Sequence, residues 1–431
     1  MTADIPRVFQ ELPANDVPVQ TLVSMLASTR VAHAVLCVGP PSSQSDLVAQ
    51  ALACALVCQH NGCTTCDSCL QARRHMHPDI HEYWPGGTNG YLIDQAQEII
   101  SDAAVMPLCA PYKVYVLHDA DKLTASSANA LLKTLEEAPS RVVFILTTSK
   151  RFNVLETIVS RCVVCNFAAL PSADVCTYLE HYAKTSNATS RALSANTQND
   201  GTAAHMQRVT MTNIPNAVAS STQRAIAENA HHVDLTNTQL IQSYLASCGG
   251  SIVQCKQLMA SALLQQLRLV CFEACLTLLQ ADEWQALCCA QSLCDIIEQC
   301  VQEEQQHALH HLEETREFLS NKAVQKLELT LKRENVIYNL SRYLFCIDVL
   351  EALITNVLEC MFATSHAVTL HDQRALIERL ASCISEKQGV HMLECLQTYR
   401  YRLTRNCIPS VCLKALFIEL REDLYGSCSP C

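Results

Sequence analysis

Short apolar runs alternate with amphipathic helical segments along the first 168 residues, and this alternation restricts the possible folds more than any other feature. The runs are rich in β-branched residues and apolar at consecutive positions, which is typical of strands buried on both faces. They cover residues 35–38, 113–117 and 142–146, and helical spacing is found at residues 49–57, 92–104 and 125–137. The pattern predicts an α/β domain over residues 1–168, with a parallel sheet and helices on both of its faces.

The remainder of the chain is predicted to be helical. Residues 261–431 carry apolar residues at three-and-four spacing with no strand between the helices, which predicts an all-α bundle. Only 10 of 431 residues are glycine, which argues against a large β-sandwich or propeller. Residues 169–260 form a third region, with helices at 172–184 and 239–246. Between them lies a Thr-, Asn-, Ala- and Ser-rich tract, residues 185–237, which we interpret as a surface insertion.

The charge and the cysteine content restrict the function classes. The formal net charge of −11 excludes a protein whose whole surface clamps DNA electrostatically. The first ten residues lack the apolar core of a secretion signal, and charged residues interrupt the most apolar long stretch, 344–368. We therefore expect a cytoplasmic protein without membrane contact, in which most of the 26 cysteines are free thiols outside any metal site.

A cysteine cluster predicts a structural zinc site. Cys58, Cys63, Cys66 and Cys69 contain two interlocking C-x2-C steps and supply four thiolates, the number that tetrahedral zinc requires. Four thiolates leave no open position for a catalytic water, so the metal would be structural. Cys54 lies one helical turn before Cys58 and is the alternative first ligand. We favour Cys58, because the loop to Cys63 is then short.

The turn after the first predicted strand stands where a phosphate-binding P-loop would stand. It begins with Gly39, but Gln44 replaces the second glycine of the G-x-x-x-x-G-K-[ST] pattern and Ser45 replaces its lysine. Asp46 replaces the residue whose hydroxyl binds magnesium, and its carboxylate would repel a polyphosphate. The sequence therefore predicts a strand–loop–helix unit that does not bind ATP.

Several motifs, taken together and in order, resemble the clamp-loader branch of the AAA+ family over about residues 20–168. They are His33-Ala34, Gly39-Pro40-Pro41, the four-cysteine insertion, His77-Pro78-Asp79, residues 129–137 and Ser160-Arg161-Cys162. The resemblance implies an AAA+ core with a degenerate P-loop and zinc module at 1–168. It further implies a small helical lid at 169–260 and a helical collar for oligomerisation at 261–431.

Departures from the family pattern imply a subunit that has lost its ATP site. The positions that hold magnesium and polarise water in hydrolysing members look like His118 and Asp119, and the second sensor arginine aligns with Val253. Thr148 is near the position of the polar sensor. This combination is similar to the delta-prime type of subunit in bacterial DNA polymerase III. Such a subunit has no intrinsic activity, although it belongs to a complex with DNA polymerase activity.

The resemblance also implies partners and one residue with a role in catalysis. Partners would be the gamma/tau and delta subunits, with the sliding clamp and primed DNA reached through the complex. Arg161 would act in trans as an arginine finger, stabilising charge on the phosphoryl group in a neighbouring ATP site. From its residue type alone, Arg161 could equally form a structural salt bridge. Two alternative functions are a gamma/tau-type ATPase subunit and a zinc-dependent DNA-binding protein outside replication.

Overall fold

The structure is a computed structural model. It describes residues 5–14, 16–28, 31–87, 90–196, 237–315, 321–362, 368–405 and 407–424. The predicted tract at 185–237 lies mostly outside these residues, apart from its first part, which continues a helix as far as Asn196. The helix at 239–246 is present as Asn237–Ser247.

A five-stranded, all-parallel sheet forms the centre of the N-terminal region. In chain order the strands are β1 (Ala34–Val38), β2 (Ile80–Tyr83), β3 (Lys113–Leu117), β4 (Val142–Thr148) and β5 (Val163–Asn166). Their order across the sheet is β2-β3-β4-β1-β5, with every neighbouring pair parallel. The three strands predicted from the sequence are β1, β3 and β4, which are the inner strands, so the predicted parallel sheet is confirmed. The two edge strands, β2 and β5, were not predicted.

Helices cover both faces of this sheet. They are α1 (Arg7–Gln10), α2 (Val17–Ala27), α3 (Ser45–Val57), α4 (Asp67–Arg73), α5 (Ile93–Ala103), α6 (Ala125–Glu136) and α7 (Glu156–Val159). Successive side chains of a strand point to opposite faces, so Val35 packs with the core that contains α2 and α3, whereas Leu36 packs with α5 and α6. This two-sided burial explains why the inner strands are apolar at consecutive positions, and it confirms the prediction of helices on both faces.

The rest of the described chain is helical. A middle segment contains α8 (Ser172–Asn196), α9 (Asn237–Ser247) and α10 (Ile252–Ala260). The C-terminal helices are α11 (Ala262–Leu278), α12 (Glu283–Thr315), α13 (Asn321–Phe362), α14 (Arg374–Cys383), α15 (Glu386–Leu403) and α16 (Pro409–Leu424). The predicted helical character of this region is confirmed, although α10 and α15 were not predicted. No single helix in the described ranges is long and apolar enough to cross a bilayer, but α10 and α11, bent by 103° at their junction, meet that test as a pair.

The middle segment and the C-terminal helices share one hydrophobic core. Val175 and Leu179 of α8, together with Cys255 of α10, belong to the same buried cluster as α11 and α13. A buried ion pair lies beside the junction, where Arg268 of α11 donates to both carboxylate oxygens of Asp372, just before α14, at 2.6 and 3.0 Å. The guanidinium also donates to the Ser247 hydroxyl of α9 at 2.7 Å. These contacts hold the middle segment against the C-terminal helices.

Candidate functional site

In the loop that joins β1 to α3, residues 39–46, backbone N–H groups donate hydrogen bonds to other atoms of the same loop. The Ser43 N–H donates to the Pro40 carbonyl at 2.8 Å, and the Ser45 N–H donates to the Ser43 hydroxyl at 3.3 Å. A side chain at Gly39 would place Cβ only 2.3 Å from the Ser43 oxygen, so the loop is tightly folded. In a phosphate-binding loop, such N–H groups face the anion. Here the Ser43 and Ser45 donors are satisfied within the loop.

Gln44, which replaces the second glycine of the P-loop pattern, is a structural residue. Its side chain is fully buried, and its amide exchanges two hydrogen bonds with the backbone of Ala14, at 2.9 and 3.2 Å. The loop is fixed from the opposite side as well, since the Leu170 N–H donates to the Ser42 carbonyl at 3.1 Å. Gly250, at a φ of +83°, approaches Ser42 so closely that an added Cβ would lie 3.2 Å from its side chain. The loop is therefore held between the N-terminal segment and the middle segment.

A cavity of about 640 Å³ opens beside this loop. It is lined by the loop, by the end of β4, by the turn between α9 and α10, and by α13. The acidic residues among the described lining are Asp46, Asp119, Asp348, Glu351 and Glu359, and Arg400 is the basic residue. Arg400 is already paired with Asp348 at 2.7 Å and Glu351 at 2.5 Å. The cavity adjoins the loop and its lining carries an excess of negative charge, which disfavours a polyphosphate.

The residues at the ends of β3 and β4 are engaged in local contacts. The His118 ring stacks on Trp84 at 4.6 Å, and its Nε2 lies 3.4 Å from the Glu82 carboxylate. Asp119, in the left-handed region at a φ of 50°, pairs with Lys122 at 2.8 Å. By the family resemblance, His118 occupies the position of the magnesium ligand and Asp119 the position of the residue that polarises water. The first is an imidazole, and the second is a carboxylate paired with Lys122. Magnesium prefers oxygen ligands, which the His118 imidazole does not offer.

Thr148 binds a neighbouring carboxylate. Its hydroxyl donates to Asp121 at 2.6 Å and accepts the Lys150 N–H at 3.0 Å. The side chain nevertheless lines the cavity. Val253, the residue aligned with the second sensor, is partly buried against the core of the C-terminal helices. An apolar side chain at this position offers no charge to a phosphate.

The four cysteines favoured from the sequence converge. The sulfur atoms of Cys58, Cys63, Cys66 and Cys69 all lie within 4.8 Å of one another. The Cys58 sulfur is 3.8 Å from that of Cys63 and 3.6 Å from that of Cys66. A zinc–sulfur bond of about 2.3 Å gives a sulfur–sulfur distance of about 3.8 Å in a regular tetrahedron. The cluster therefore already has nearly the dimensions of a four-thiolate zinc site.

Local backbone geometry prepares this cluster for a metal. The N–H groups of Thr65 and Cys66 hydrogen-bond to Cys63 and lower the pKa of its thiol to about 5. Gly62, at a φ of +81°, forms the turn that brings the second half of the cluster back, and its carbonyl accepts the Val8 N–H at 3.1 Å. Cys54 does not belong to the convergent group, and this geometry favours Cys58 as the first ligand.

Arg161 lies at the surface, after α7. Its Nη2 donates to the Glu136 carboxylate at 2.9 Å, and its Nη1 donates to the Thr157 carbonyl at 3.0 Å. The Arg161 side chain is 30% exposed and that of Glu136 is 59% exposed. Such solvent-exposed pairs contribute only about 0.2–1 kcal/mol, so the guanidinium can leave this partner at small cost.

The structure brings some of the sequence-predicted residues together and keeps others apart. Gly39, Ser45, Asp46, Asp119 and Thr148 line the one cavity, whereas Arg161 and the cysteine cluster do not. The sequence analysis missed two features. One is the acidic wall of the cavity, formed by Asp348, Glu351 and Glu359 of α13, and the other is Glu136 as the ion-pair partner of Arg161. The wall gives no sequence signal, because its residues lie on a helix about three hundred positions after the loop.

The N-terminal region of the chain is similar to subunits of DNA polymerase III. Residues 14–171 match the family model described as DNA polymerase III, delta subunit. The chain is 30% identical to DNA polymerase III subunit tau of Bacillus subtilis (strain 168) over 171 residues, which are 39% of this chain and 30% of that protein.

Two delta' subunits show similar likeness over the same region. The delta' subunit of Haemophilus influenzae is 34% identical over 146 residues, covering 33% of this chain and 44% of that protein. The delta' subunit of Escherichia coli (strain K12) is 33% identical over 165 residues, covering 37% of this chain and 49% of that protein. The chain therefore spans less than half the length of these relatives.

Proposed function

We propose that the protein is a delta-prime-type subunit of the DNA polymerase III clamp loader, because its residues 14–171 match the family model described as DNA polymerase III, delta subunit, and the chain is similar to delta' subunits. In this role it does not hydrolyse ATP. It assembles with gamma/tau and delta subunits in the cytoplasm and helps to place the sliding clamp on primed DNA. The single observation that carries this proposal is the state of the loop at residues 39–46, which is folded on itself beside an acidic cavity.

Three independent features support the loss of nucleotide binding. The Ser43 and Ser45 N–H groups are satisfied inside the loop, and the Gln44 side chain is bonded to Ala14. The cavity is acidic where a triphosphate would need cations. The second sensor position holds the apolar Val253. Each feature would weaken nucleotide binding separately, and together they favour a subunit that keeps the fold without the ATPase.

We assign the cysteine cluster a structural zinc ion held by Cys58, Cys63, Cys66 and Cys69. The four sulfurs are close to tetrahedral dimensions. Bound zinc would order the segment between α3 and α4, whose residues 59–61 are exposed and contribute little apolar surface of their own. We further assign residues 169–260 to a lid and residues 261–431 to a collar that joins subunits. The extensive apolar core of the C-terminal helices suits such a collar.

Arg161 is the residue that we propose acts in catalysis, as an arginine finger in a neighbouring ATP site. Its guanidinium lies at the surface, and its intramolecular ion pair is weak enough to be exchanged for a phosphate. Arginine suits this role because it stays charged and presents a planar fork of donors.

The second candidate is a gamma/tau-type ATPase subunit, which the identity to the Bacillus subtilis tau subunit favours. The two candidates differ in one measurable property, since a gamma/tau-type subunit binds ATP by itself. We expect no magnesium-dependent binding of a fluorescent ATP analogue to the isolated protein. Binding at micromolar affinity would reject the delta-prime proposal in favour of the ATPase.

The finger role is tested with two variants that break the same ion pair, Arg161→Ala and Glu136→Ala. Each is assembled with the same organism's gamma/tau and delta subunits, and the ATPase stimulated by clamp and primed DNA is measured. A finger contributes about three to five orders of magnitude in rate at the site it serves. Arg161→Ala should therefore abolish turnover at one site, and Arg161→Lys should restore little, whereas Glu136→Ala should keep full activity. If Arg161→Ala and Glu136→Ala had the same stimulated ATPase rate, the finger role would be rejected, and Arg161 would be a structural residue.

A further inference from the structure

The last two helices present a second set of metal-ligand side chains, far from the cysteine cluster in the sequence. His391 and Cys395 lie four residues apart on α15, and Glu419 and Asp423 lie four residues apart on α16. Residues with this spacing share one face of a helix. A five-residue connection joins the two helices, which makes them an antiparallel hairpin. In that arrangement His391 faces Asp423, and Cys395 faces Glu419.

Three ligand atoms, from His391, Cys395 and Asp423, lie within 4.8 Å of one another, and Glu419 contacts this group through Cys395. The His391 Nδ1 is 2.9 and 3.0 Å from the two Asp423 oxygens, and the Cys395 sulfur is 3.8 Å from the same nitrogen. The Cys395 sulfur is also 3.3 Å from a Glu419 oxygen. Around tetrahedral zinc, bond lengths of about 2.0–2.3 Å give ligand–ligand distances of about 3.3–3.6 Å. The distances among His391, Cys395 and Asp423 are within about 0.4 Å of that range, so small shifts of these three side chains would bring them around a metal, whereas Glu419 would have to move further to become the fourth ligand.

We propose that His391, Cys395, Glu419 and Asp423 bind a transition-metal dication, Zn²⁺ above all. Imidazole and thiolate ligands select zinc and its neighbours rather than magnesium or calcium, which prefer oxygen alone. The Cys395 thiol loses its proton to solvent as it binds. The site would join the two terminal helices of the chain by coordinate bonds. It is independent of the proposed clamp-loader function and of the cysteine cluster.

The burial of the four residues suits a metal that enters from solvent. Cys395 is only 5% exposed and the Asp423 side chain is 16% exposed, so the inner ligands are held by packing. The His391 side chain is 55% exposed, which leaves an entry path. The start of α15 is fixed as well, because the Gln388 amide donates to the Asp423 carbonyl at 2.6 Å.

A comparison within the molecule shows why this cluster is favoured over another. His77, Asp79 and Cys109 also place ligand atoms within 4.8 Å of one another. The Asp79 carboxylate, however, accepts three backbone N–H groups at 2.6–2.8 Å, from residues 108–110. Its oxygens serve as a cap for that loop. In the hairpin cluster, by contrast, the Asp423 carboxylate contacts the His391 imidazole, and the Glu419 carboxylate contacts the Cys395 thiol and the Tyr399 hydroxyl.

The proposal is tested by metal content and by cobalt spectroscopy of the full-length protein. After dialysis against a weak chelator, His391→Asn should contain about one equivalent of zinc less than the wild type. The matched control is His371→Asn, since His371 lies in the same region and contacts Gln242 at 3.0 Å but belongs to no ligand cluster. Asp423→Asn serves as a second ligand variant. Both ligand variants should lose the same equivalent, and the control should lose none.

Cobalt distinguishes the two sites by their thiolate number. A site with one thiolate should add about a quarter of the sulfur-to-cobalt charge-transfer absorption of a four-thiolate site. That increment should be absent from His391→Asn and present in His371→Asn. Equal zinc contents and equal cobalt spectra in the wild type and both ligand variants would overturn the proposal, and would leave the cysteine cluster untouched. In that case the four side chains form only an ion pair and a hydrogen bond.

Discussion

The buried ion pair between Arg268 and Asp372 should be the strongest single link between α11 and the turn that precedes α14, and the same guanidinium also holds α9 through the Ser247 hydroxyl. Arg268 is 1% exposed, and its guanidinium lies near the rings of Tyr244 and Phe272, at 5.1 and 4.8 Å. Asp372→Asn would leave this cation buried without its counter-charge. Breaking such a pair from one side costs about 3–5 kcal/mol. That is a large part of the roughly 5–15 kcal/mol that stabilises a typical domain.

The assay is urea denaturation followed by circular dichroism. Asp372→Asn and Arg268→Met should each be destabilised by about 3–5 kcal/mol, whereas the double variant Arg268→Met/Asp372→Leu should lose less than either, because no charge is left unpaired. The control is Arg374→Ala, which breaks the exposed pair with Glu378 and should cost no more than about 0.5 kcal/mol.

The pH dependence of the same variants gives an independent check. Burial alone would raise the pKa of Asp372, but the hydrogen bonds and charge of Arg268 outweigh it and hold the pKa below its usual value. A carboxylate with a lowered folded pKa stabilises the protein above its unfolded pKa, and this stability is lost as the pH falls through the folded pKa. The gap between wild type and Asp372→Asn should therefore shrink in acid. A single variant within 1 kcal/mol of the wild type at neutral pH, or a constant gap, would refute the reasoning.

Three further predictions concern the N-terminal region. Cys58→Ser should lose zinc and Cys54→Ser should retain it, as measured by metal analysis of protein purified without chelator. The reverse result would show that Cys54, and not Cys58, is the first zinc ligand. Gln44→Gly should destabilise the core by about 1–3 kcal/mol in urea, because buried partners are left unpaired. Combined with Ser45→Lys it should still not bind a fluorescent ATP analogue, and micromolar binding would contradict the importance of the acidic cavity. Burial would raise the Glu82 pKa, but two histidines lower it to about 2. Stability should therefore fall from about pH 4.5 towards 2, by up to about 3 kcal/mol, and less in Glu82→Gln.

The inner strands could be predicted from the sequence because they are buried on both faces. β1, β3 and β4 read as continuous apolar runs for that reason. The edge strand β2 contains His81 and Glu82 and is only partly buried along its length, so its pattern does not stand out from a loop. The other edge strand, β5, has only four residues, of which one is buried. Edge strands therefore gave a weak signal, and only the folded sheet shows them.

The candidate site was predictable to the extent that it is local in sequence. The cysteine cluster spans twelve residues, and its spacing favours Cys58 over Cys54, in line with the convergence of the four sulfurs; zinc binding and the first ligand stay predictions. The altered loop could also be recognised from its residue types. The acidic wall of the cavity could not, since Asp348, Glu351 and Glu359 belong to a helix whose position depends on the packing of the whole C-terminal region. Long-range juxtaposition of this kind leaves no pattern in a single sequence.

The buried cysteines of the helical core can report local unfolding of the helices that contain them, because their thiols react only when those helices separate. Thiols such as Cys271, Cys275 and Cys346 are inaccessible in the native fold, and burial raises the pKa of Cys275 to about 12, so an alkylating reagent cannot reach a thiolate there. Among the described cysteines, Cys109, Cys288 and Cys407 are exposed. A short alkylation pulse followed by mass spectrometry would thus label those three at once. The buried thiols would be labelled only when their helices transiently separate, which reports the free energy of opening helix by helix without any introduced label.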